Sequence, residues 1–375
     1  MSTARPFSPA GTVPPAPREL TSVWLVAERE IASKLRSKAF VISTLILFVA
    51  ALATIVIGGF AAQNQEDTRV AVTAETTQVV EGIDGVETTE VADRAEAEQL
   101  VEAGDVDAAL VPDAAASGPF DYVVLADDEA PTTLVMSLAQ VPQVVLLNPD
   151  DSNPAIRYFV AIGFGIVFLL AASIFGGTIA QSVVEEKQTR VVELLISAIP
   201  SRSLLAGKVI GNTILAMGQI LGLAAIAIVG LMVTGQSELL AGLGAPILWF
   251  AVFFLFGFIL LASLFAAAGA MVSRQEDIGS TTTPLTMLIM APYFLVIFFN
   301  DNPTVLAIMS YVPFSAPVGM PMRLFLGEAQ WWEPILSLAI LIATCIGAIV
   351  VGAKIYENSL LRMGARVKLR EALAG

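Results

Sequence analysis

The densest run of chemically capable side chains is Gln181 to Lys208, QSVVEEKQTRVVELLISAIPSRSLLAGK, which lies between two long apolar stretches. It carries Glu185, Glu186, Lys187, Arg190 and Glu193. On a helical wheel Val184, Val191, Val192 and Leu195 share one side with Gln188, while Glu185, Glu186, Thr189, Arg190 and Glu193 take the other. Glu186 and Arg190 stand at i,i+4 and Arg190 and Glu193 at i,i+3, the spacings at which helical charges pair. Pro200 ends the helix, and Ser201 or Ser203 is placed to cap the next. The chemistry on offer is electrostatic: a short amphipathic helix that presses its apolar side on a bundle and offers fixed charges to a partner, or an ordinary interfacial helix. Covalent chemistry has little to work with. The chain has no histidine, which excludes imidazole bases, Ser-His-Asp triads and His-ligated zinc. Its single cysteine, Cys345, lies in an apolar run and reads as a packed thiol. Ser173, Ser263 and Thr286 lack a charged partner, and lone hydroxyls in such runs bond their own backbone. No catalytic residue and no metal site is expected. Gly207 and Lys208 do not form a phosphate loop, because Arg202 stands at the leading glycine position and Val209 where a hydroxyl would meet magnesium.

The elements that must position these charges are membrane helices. Of the 375 residues 56% are hydrophobic and only 14% charged, with a mean hydropathy of +0.76, too apolar for a soluble globular chain. A hydrocarbon crossing needs about 20 apolar residues. Eight uncharged stretches approach that: Ala39 to Gln65, Ala130 to Pro149, Tyr158 to Val184, Val209 to Ser237, Leu239 to Ser273, Ile278 to Asn300, Asn302 to Met322 and Pro334 to Ala353. Ala130 to Pro149 holds Pro131, Pro142, Gln140, Gln143 and Asn148 and reads as an amphipathic surface helix. Asn302 to Met322 contains Pro303, Pro313, Pro317 and Pro321; an interior proline costs about 3 kcal/mol, so a broken, re-entrant segment over 303–327 is expected. Six spans remain. With both termini cytoplasmic, Lys and Arg divide sixteen inside to four outside, as the positive-inside rule requires. For the first span the alternative is a secretory signal peptide, with Phe60, Ala61 and Ala62 as a cleavage site. The 38 residues ahead of the run exceed a signal peptide's charged lead, so a retained anchor over 39–61 is expected.

Outside the spans, residues 1–18 are proline-rich and expected to be disordered. In residues 19–38, Leu20, Trp24, Ala27, Ile31 and Leu35 recur at helical spacing opposite Arg29, Ser33 and Arg36, predicting an amphipathic helix with Trp24 at headgroup level and its basic residues toward anionic lipid. A solvated helix packed on protein is the alternative. Residues 62–156 carry twenty acidic against two basic residues, a net of −18, larger than the −14 of the whole chain. Strand-like stretches (Arg69 to Thr73, Val106 to Val111, Tyr122 to Leu125) flank a helical one, Asp93 to Ala103, with Asp93 as cap and Gly104 as stop. A small extracytoplasmic α/β domain follows, its carboxylates forming a solvated face. Residues 354–375 read as a basic cytoplasmic tail. Gly207 with Gly211 and Gly218 with Gly222 on the third span, and Gly163 with Gly165 on the second, permit close helix approach, including across a dimer.

The run EEKQTRVVELLISAIPSRSLLAGK resembles the cytoplasmic signature of type-2 ABC transporter permeases. The acidic insert after the first span, QEDIGSTTTPLTMLIMAPY at the fifth and YVPFSAPVGMPMRLFLG before the sixth resemble the sodium-efflux, NatB-like branch. The resemblance covers the chain from about residue 19. It implies that 182–198, especially Glu185, Glu186, Lys187, Arg190 and Glu193, is a coupling helix seated in a separate ATP-hydrolysing subunit, which would bind the ATP and magnesium. It implies that 19–38 is an elbow helix, that Tyr311, Pro313, Pro317 and Arg323 belong to a membrane-dipping helix pair at the outer gate, and that two permease chains, identical or related, meet across the pathway. The chain itself binds no cofactor in this reading, and its negative balance excludes a nucleic-acid partner.

The expectation is a polytopic α-helical permease of an ATP-driven exporter in the cell membrane. An ion-coupled secondary transporter is the alternative; it would place ionisable groups at mid-membrane, where none of the six cores has one, Lys208 standing at an entrance. A sensor or anchor would need only one or two spans. Asn212, Thr213 and Gln219 on the third span are the polar candidates for lining a pathway, suited to sodium or to an amphiphile such as a lipid, peptide or antibiotic.

Overall fold

The computed structural model describes residues 19–63, 68–80, 83, 85–112, 121–127, 134, 135, 138, 154–362 and 367–374. The expected tail over 1–18 and most of the expected surface helix over 130–149 lie outside these residues. The chain divides into two compact units, Ile57–Asp150 and the remainder, Met1–Val56 with Asp151–Gly375.

Helix α1 (Glu19–Arg36) is followed at Ser37 by α2 (Lys38–Gln63). Ser37 makes the junction: its hydroxyl accepts from the Phe40 amide, and its own amide closes α1 on the Lys34 carbonyl. The face of α1 buried against protein is Ser22, Val26, Ala27 and Glu30. The larger apolar side chains Leu20, Trp24 and Leu35 are exposed.

The smaller unit holds strands β1 (Thr68–Val72), β2 (Val86–Glu90), β3 (Ala108–Pro112) and β4 (Tyr122–Leu125), with helices α3 (Thr77–Val80) and α4 (Arg94–Glu102). The sheet order is β2-β1-β3-β4, with β1 parallel to both β2 and β3 and β3 antiparallel to β4. Strand alternation builds two cores: Val70, Val72, Ala108 and Leu110 on one face, and Ala71, Ala109 and Val111 with Ala97 and Val101 of α4 on the other. Asp93 caps α4 by accepting from the Glu96 amide at 3.0 Å, and Glu96 returns a bond from the Ala92 amide at 2.8 Å. Gly104 closes the helix at φ +74. Strand β2 escaped the sequence reading because VETTE at a sheet edge is exposed along nearly all its length and has no buried alternation to announce it.

The larger unit continues with α5 (Pro154–Gln188), α6 (Val191–Ala198), α7 (Ser201–Val233), α8 (Ser237–Ala270), α9 (Ile278–Phe298), α10 (Pro303–Tyr311), α11 (Ala316–Phe325), α12 (Glu333–Leu360) and α13 (Leu369–Ala374). Among the described residues six helices are long and apolar enough to cross a membrane: α2, α5, α7, α8, α9 and α12. The chain is thus a polytopic helical membrane protein. Helix α8 is the central post, with Phe253, Phe254, Phe258 and Phe265 fully buried against Phe168 and Phe175 of α5. Phe168 meets Phe254 and Phe175 meets Phe258 edge to face, at centroid distances of 5.9 and 6.0 Å. The proline-rich stretch is two short helices: Asn302 caps α10, and the turn through Pro313 leads into α11.

Three boundaries differ from the sequence expectation for one reason: charged residues that find partners do not end a helix. Helix α7 starts at Ser201, not Val209, and takes Lys208 inside it; Pro200 occupies the cap position, and neither Ser201 nor Ser203 makes a capping bond. Helix α12 runs to Leu360, past the expected tail boundary at 354. The expected helix over 182–198 is broken, because α5 extends to Gln188 and Arg190 adopts a left-handed φ of 57 before α6 begins.

Four glycines of α7, Gly207, Gly211, Gly222 and Gly230, are filled from within the chain. A Cβ at Gly207 would lie 2.4 Å from Val26 Cβ, and one at Gly211 2.9 Å from the Ala27 carbonyl oxygen; Gly222 and Gly230 receive Phe48 and Ile55 of α2. We predict that Gly211→Val forces α1 off α7 and costs about 2 kcal/mol, read as a lower thermal midpoint in detergent. Gly218→Ala, whose Cβ meets nothing within 4 Å, leaves the midpoint unchanged.

Candidate functional site: a buried charge cluster beside an exposed break

Close packing at Gly207 and Gly211 brings Lys208 of α7 against Glu30 of α1 and the foot of α5. Lys208 is fully buried. Its ammonium donates to Glu30 Oε1 at 2.9 Å and Ser182 Oγ at 2.6 Å, and lies 3.0 Å from Glu186 Oε1. Two hydrogen bonds and a second carboxylate at ion-pair distance thus surround the ammonium. Arg29 extends the cluster outward, meeting Glu30 at 3.3 Å and Glu186 in a close ion pair. Two cations and two carboxylates make the cluster neutral, which is what lets it leave water. Tyr356 of α12, fully buried, lies within electrostatic reach of Glu186, Glu30 and Arg29. Burial alone would raise the Glu30 carboxyl, but Lys208 and then Arg29 outweigh it and hold the group below the ordinary glutamate range.

The five sequence-nominated coupling residues separate into two groups. Glu185, Arg190 and Glu193 are exposed. Glu186 turns inward to Arg29 and Lys208, so the expected Glu186–Arg190 pair is replaced; the helix that would have aligned them stops at Gln188. Lys187 is fully buried and donates to the Ala270 carbonyl at 2.8 Å and the Ser359 carbonyl at 2.9 Å. Val192 of α6 is buried, and Leu195, Ile196 and Ile199 pack on the core, so α6 rests its apolar side on the bundle.

The third-span polar residues are mostly committed. Thr213 donates to the Val209 carbonyl at 2.7 Å within its own helix. Asn212 is buried and donates to the Lys208 carbonyl at 3.0 Å, while its Oδ1 lacks a partner. Gln219 is half-buried.

A second polar centre lies at the α10–α11 pair. Arg323, 6% exposed, donates to Ser310 Oγ at 3.1 Å, to the Glu328 carbonyl at 3.2 Å and to Glu333 Oε2 at 2.8 Å. Gly319 of α11 packs on the α10 backbone at Met309, and a Cβ at Gly257 of α8 would lie 2.6 Å from Pro317. Tyr311 ends α10 and Pro313 is in the turn beyond it, both half-buried. Pro303, Thr304, Ala307, Arg323 and Glu328 line an open depression of about 580 Å³.

Sequence reasoning missed Glu30, Ser182, Glu333 and Tyr356, and it left Lys208 at an entrance. The available signal was Lys208 flanked by Gly207 and Gly211: a cation at a close helix contact needs a carboxylate on the approaching helix.

We predict that Glu30→Gln lowers stability by about 3 kcal/mol near neutral pH, since a buried cation loses one of its counter-charges. The folded-state pKa of Glu30 is depressed, so its stabilisation is fully present above its unfolded value of about 4.3 and is lost as pH falls through the lower folded value. Thermal midpoints measured from pH 7 down to pH 3 therefore converge for the parent and Glu30→Gln at the acid end; a constant gap contradicts the assignment.

Comparison with known proteins agrees with this architecture. The family model described as "ABC-2 family transporter protein" matches residues 38–354. The chain is 23% identical over 402 residues to "Uncharacterized protein YhaP" of Bacillus subtilis (strain 168), covering 92% of this chain and 96% of that protein. It is 24% identical over 225 residues to "Uncharacterized protein MJ1024" of Methanocaldococcus jannaschii, covering 60% of this chain and 55% of that protein. No solved structure matches significantly. With a family match that runs from the first of its six membrane-suited helices into the last, the chain belongs to the ABC-2 family transporter proteins and is a transporter membrane subunit.

Proposed function

We propose that this chain is the permease of an ATP-driven exporter and that the break between α5 and α6 is where a separate ATPase subunit engages it. The observation that carries the reading is the division of labour at that break: Glu185, Arg190 and Glu193 are exposed, while Glu186 and Lys187 between them are tied into the bundle. A motor subunit would meet a charged, left-handed corner whose roots are buried. Members of this family work with an ABC ATPase, which supports the partner; ATP and magnesium would be held there. The sixteen-to-four distribution of basic residues supports placing both termini and this corner in the cytoplasm and the acidic unit outside. In this arrangement α1 is an elbow helix at the inner lipid surface, and the α10–α11 pair with Tyr311, Pro313, Pro317 and Arg323 is a re-entrant outer gate.

Two chains, identical or related, would meet across the pathway. The α7 glycines that receive α1 and α2 do not supply that contact. Exposed apolar residues on α9, among them Met287, Leu295 and Phe298, offer other surface for it or for lipid. The likeness to the NatB-like branch suggests sodium as cargo; an amphiphile such as a lipid, peptide or antibiotic fits the apolar walls equally well, with Asn212 and Gln219 as polar groups along the third span.

Arg190→Glu and Glu193→Lys are predicted to weaken retention of the ATPase about tenfold while leaving thermal stability unchanged, because neither side chain has a partner within the described chain. Quantitative co-purification from membranes is the measurement. Undiminished retention by both variants removes the corner from the interface.

A further inference from the structure

Lys187 was nominated by sequence for contact with a partner, yet its ammonium is buried where no partner can touch it. Among the described residues no carboxylate lies within ion-pair distance. Its acceptors are instead two backbone carbonyls, Ala270, the last residue of α8, and Ser359, the penultimate residue of α12. These are helix C-terminal carbonyls, which lie at the negative end of the helix dipole; the Ser359 carbonyl also accepts from the Arg362 amide at 3.1 Å, so Lys187 is its second donor. One cation thereby serves two helix ends that converge from distant parts of the sequence. The three helices are also in backbone contact nearby: a Cβ at Gly269 would lie 2.7 Å from the Ala180 carbonyl oxygen of α5, and one at Gly352 of α12 would lie 3.0 Å from the Ser263 carbonyl oxygen of α8. The Val367 amide, two residues before α13, donates to the carbonyl of Met271, the residue after α8, at 2.9 Å.

We propose that Lys187 is a positioning residue that locks the foot of α5 to the C-terminal ends of α8 and α12, so that displacement of the exposed corner at Arg190 moves those two helices with it. The proposal rests on the permease reading above and assigns the route by which its corner acts. Lys187 stands three residues before Arg190, and Glu186 beside it grips α1 through Arg29 and α7 through Lys208; adjacent side chains therefore fix the same helix end in two directions. The Lys187 attachment differs in kind from the Lys208 one, because it is made to backbone and depends on charge plus reach, not on a matching carboxylate.

The test uses the full chain with Cys345→Ser and Gln275→Cys, an environment-sensitive fluorophore at position 275 just past α8, co-purified with its ATPase and reconstituted in liposomes. Addition of Mg-ATP changes the fluorescence of the parent. Lys187→Met is expected to reduce that change roughly threefold or more while the ATPase still co-purifies and hydrolyses ATP, and Lys187→Arg, which keeps a cation and its donors, recovers part of it. A response in Lys187→Met equal to the parent's overturns the proposal. If Lys187→Met is lost from the membrane, Lys187→Gln, a shorter neutral donor, is scored by the same criterion. A parent that retains no ATPase fails the permease reading itself and takes the proposal down with it; a parent that responds and a variant that also responds fails the proposal alone.

Discussion

A lysine ammonium withdrawn from water is the constraint around which one end of this bundle is arranged. Lys208 is fully buried on α7, and transferring an isolated charge from water costs several kcal/mol at least. Glu30 and Ser182 accept its hydrogen bonds and Glu186 adds a second carboxylate at ion-pair distance, which obliges α1, α7 and the foot of α5 to meet at one point. The glycines on either side of Lys208 make that meeting possible, since a side chain at Gly207 or Gly211 would strike α1 before the ions came within reach. Packing and charge are therefore one device: small residues set the distance and the ion cluster sets the register. Arg29 keeps the total neutral and brings the cluster to the surface through a half-exposed guanidinium.

Immediately after this anchor the chain changes character. Glu186 and Lys187 point into the bundle in different directions, Gln188 ends α5, and Arg190 turns left-handed before α6 lays Val192 and Leu195 on the core. The result is an exposed corner with short, buried roots. In the proposed reading a motor subunit pressing there would meet a segment with little slack, because on one side the helix end is held to α1 and α7 and on the other to the ends of α8 and α12. The other polar centre is built differently: Arg323 of α11 is held by Ser310 of α10, the Glu328 carbonyl and Glu333 of α12, so it ties the broken helix pair to the helix that follows.

Much of this architecture was legible from hydropathy and turn chemistry. The six membrane-suited helices coincide with six of the eight uncharged runs, because a lipid-facing helix must be apolar along its length. Asp93 and Gly104 announced α4 through their local capping chemistry, and four prolines announced the break between α10 and α11. What escaped were features defined by partners distant in sequence. Lys208 looked like the entrance to a span because charge was taken as a boundary, and Lys187 looked like a contact for a partner; each is inside a helix, Lys208 held in part by Glu30 from before the acidic insert and Lys187 by carbonyls more than 80 positions away. Nothing in the local sequence singles out Glu30, and only the approach of α7 gives it a task. The edge strand β2 was invisible because exposed Thr and Glu carry no burial pattern.

The account stands on Lys208 and Glu30 acting as a pair and not as two independent polar residues. A double-mutant cycle in detergent-solubilised protein, with Glu30→Met, Lys208→Met and both together, measures this by thermal unfolding. The double variant leaves Arg29 with Glu186 as a neutral pair, so its loss of stability should be smaller than the sum of the single losses by about 1–3 kcal/mol. Losses that add to within about 0.5 kcal/mol would mean that the ammonium and the carboxylate do not depend on each other, and the anchoring of α1 to α7 would have to come from elsewhere.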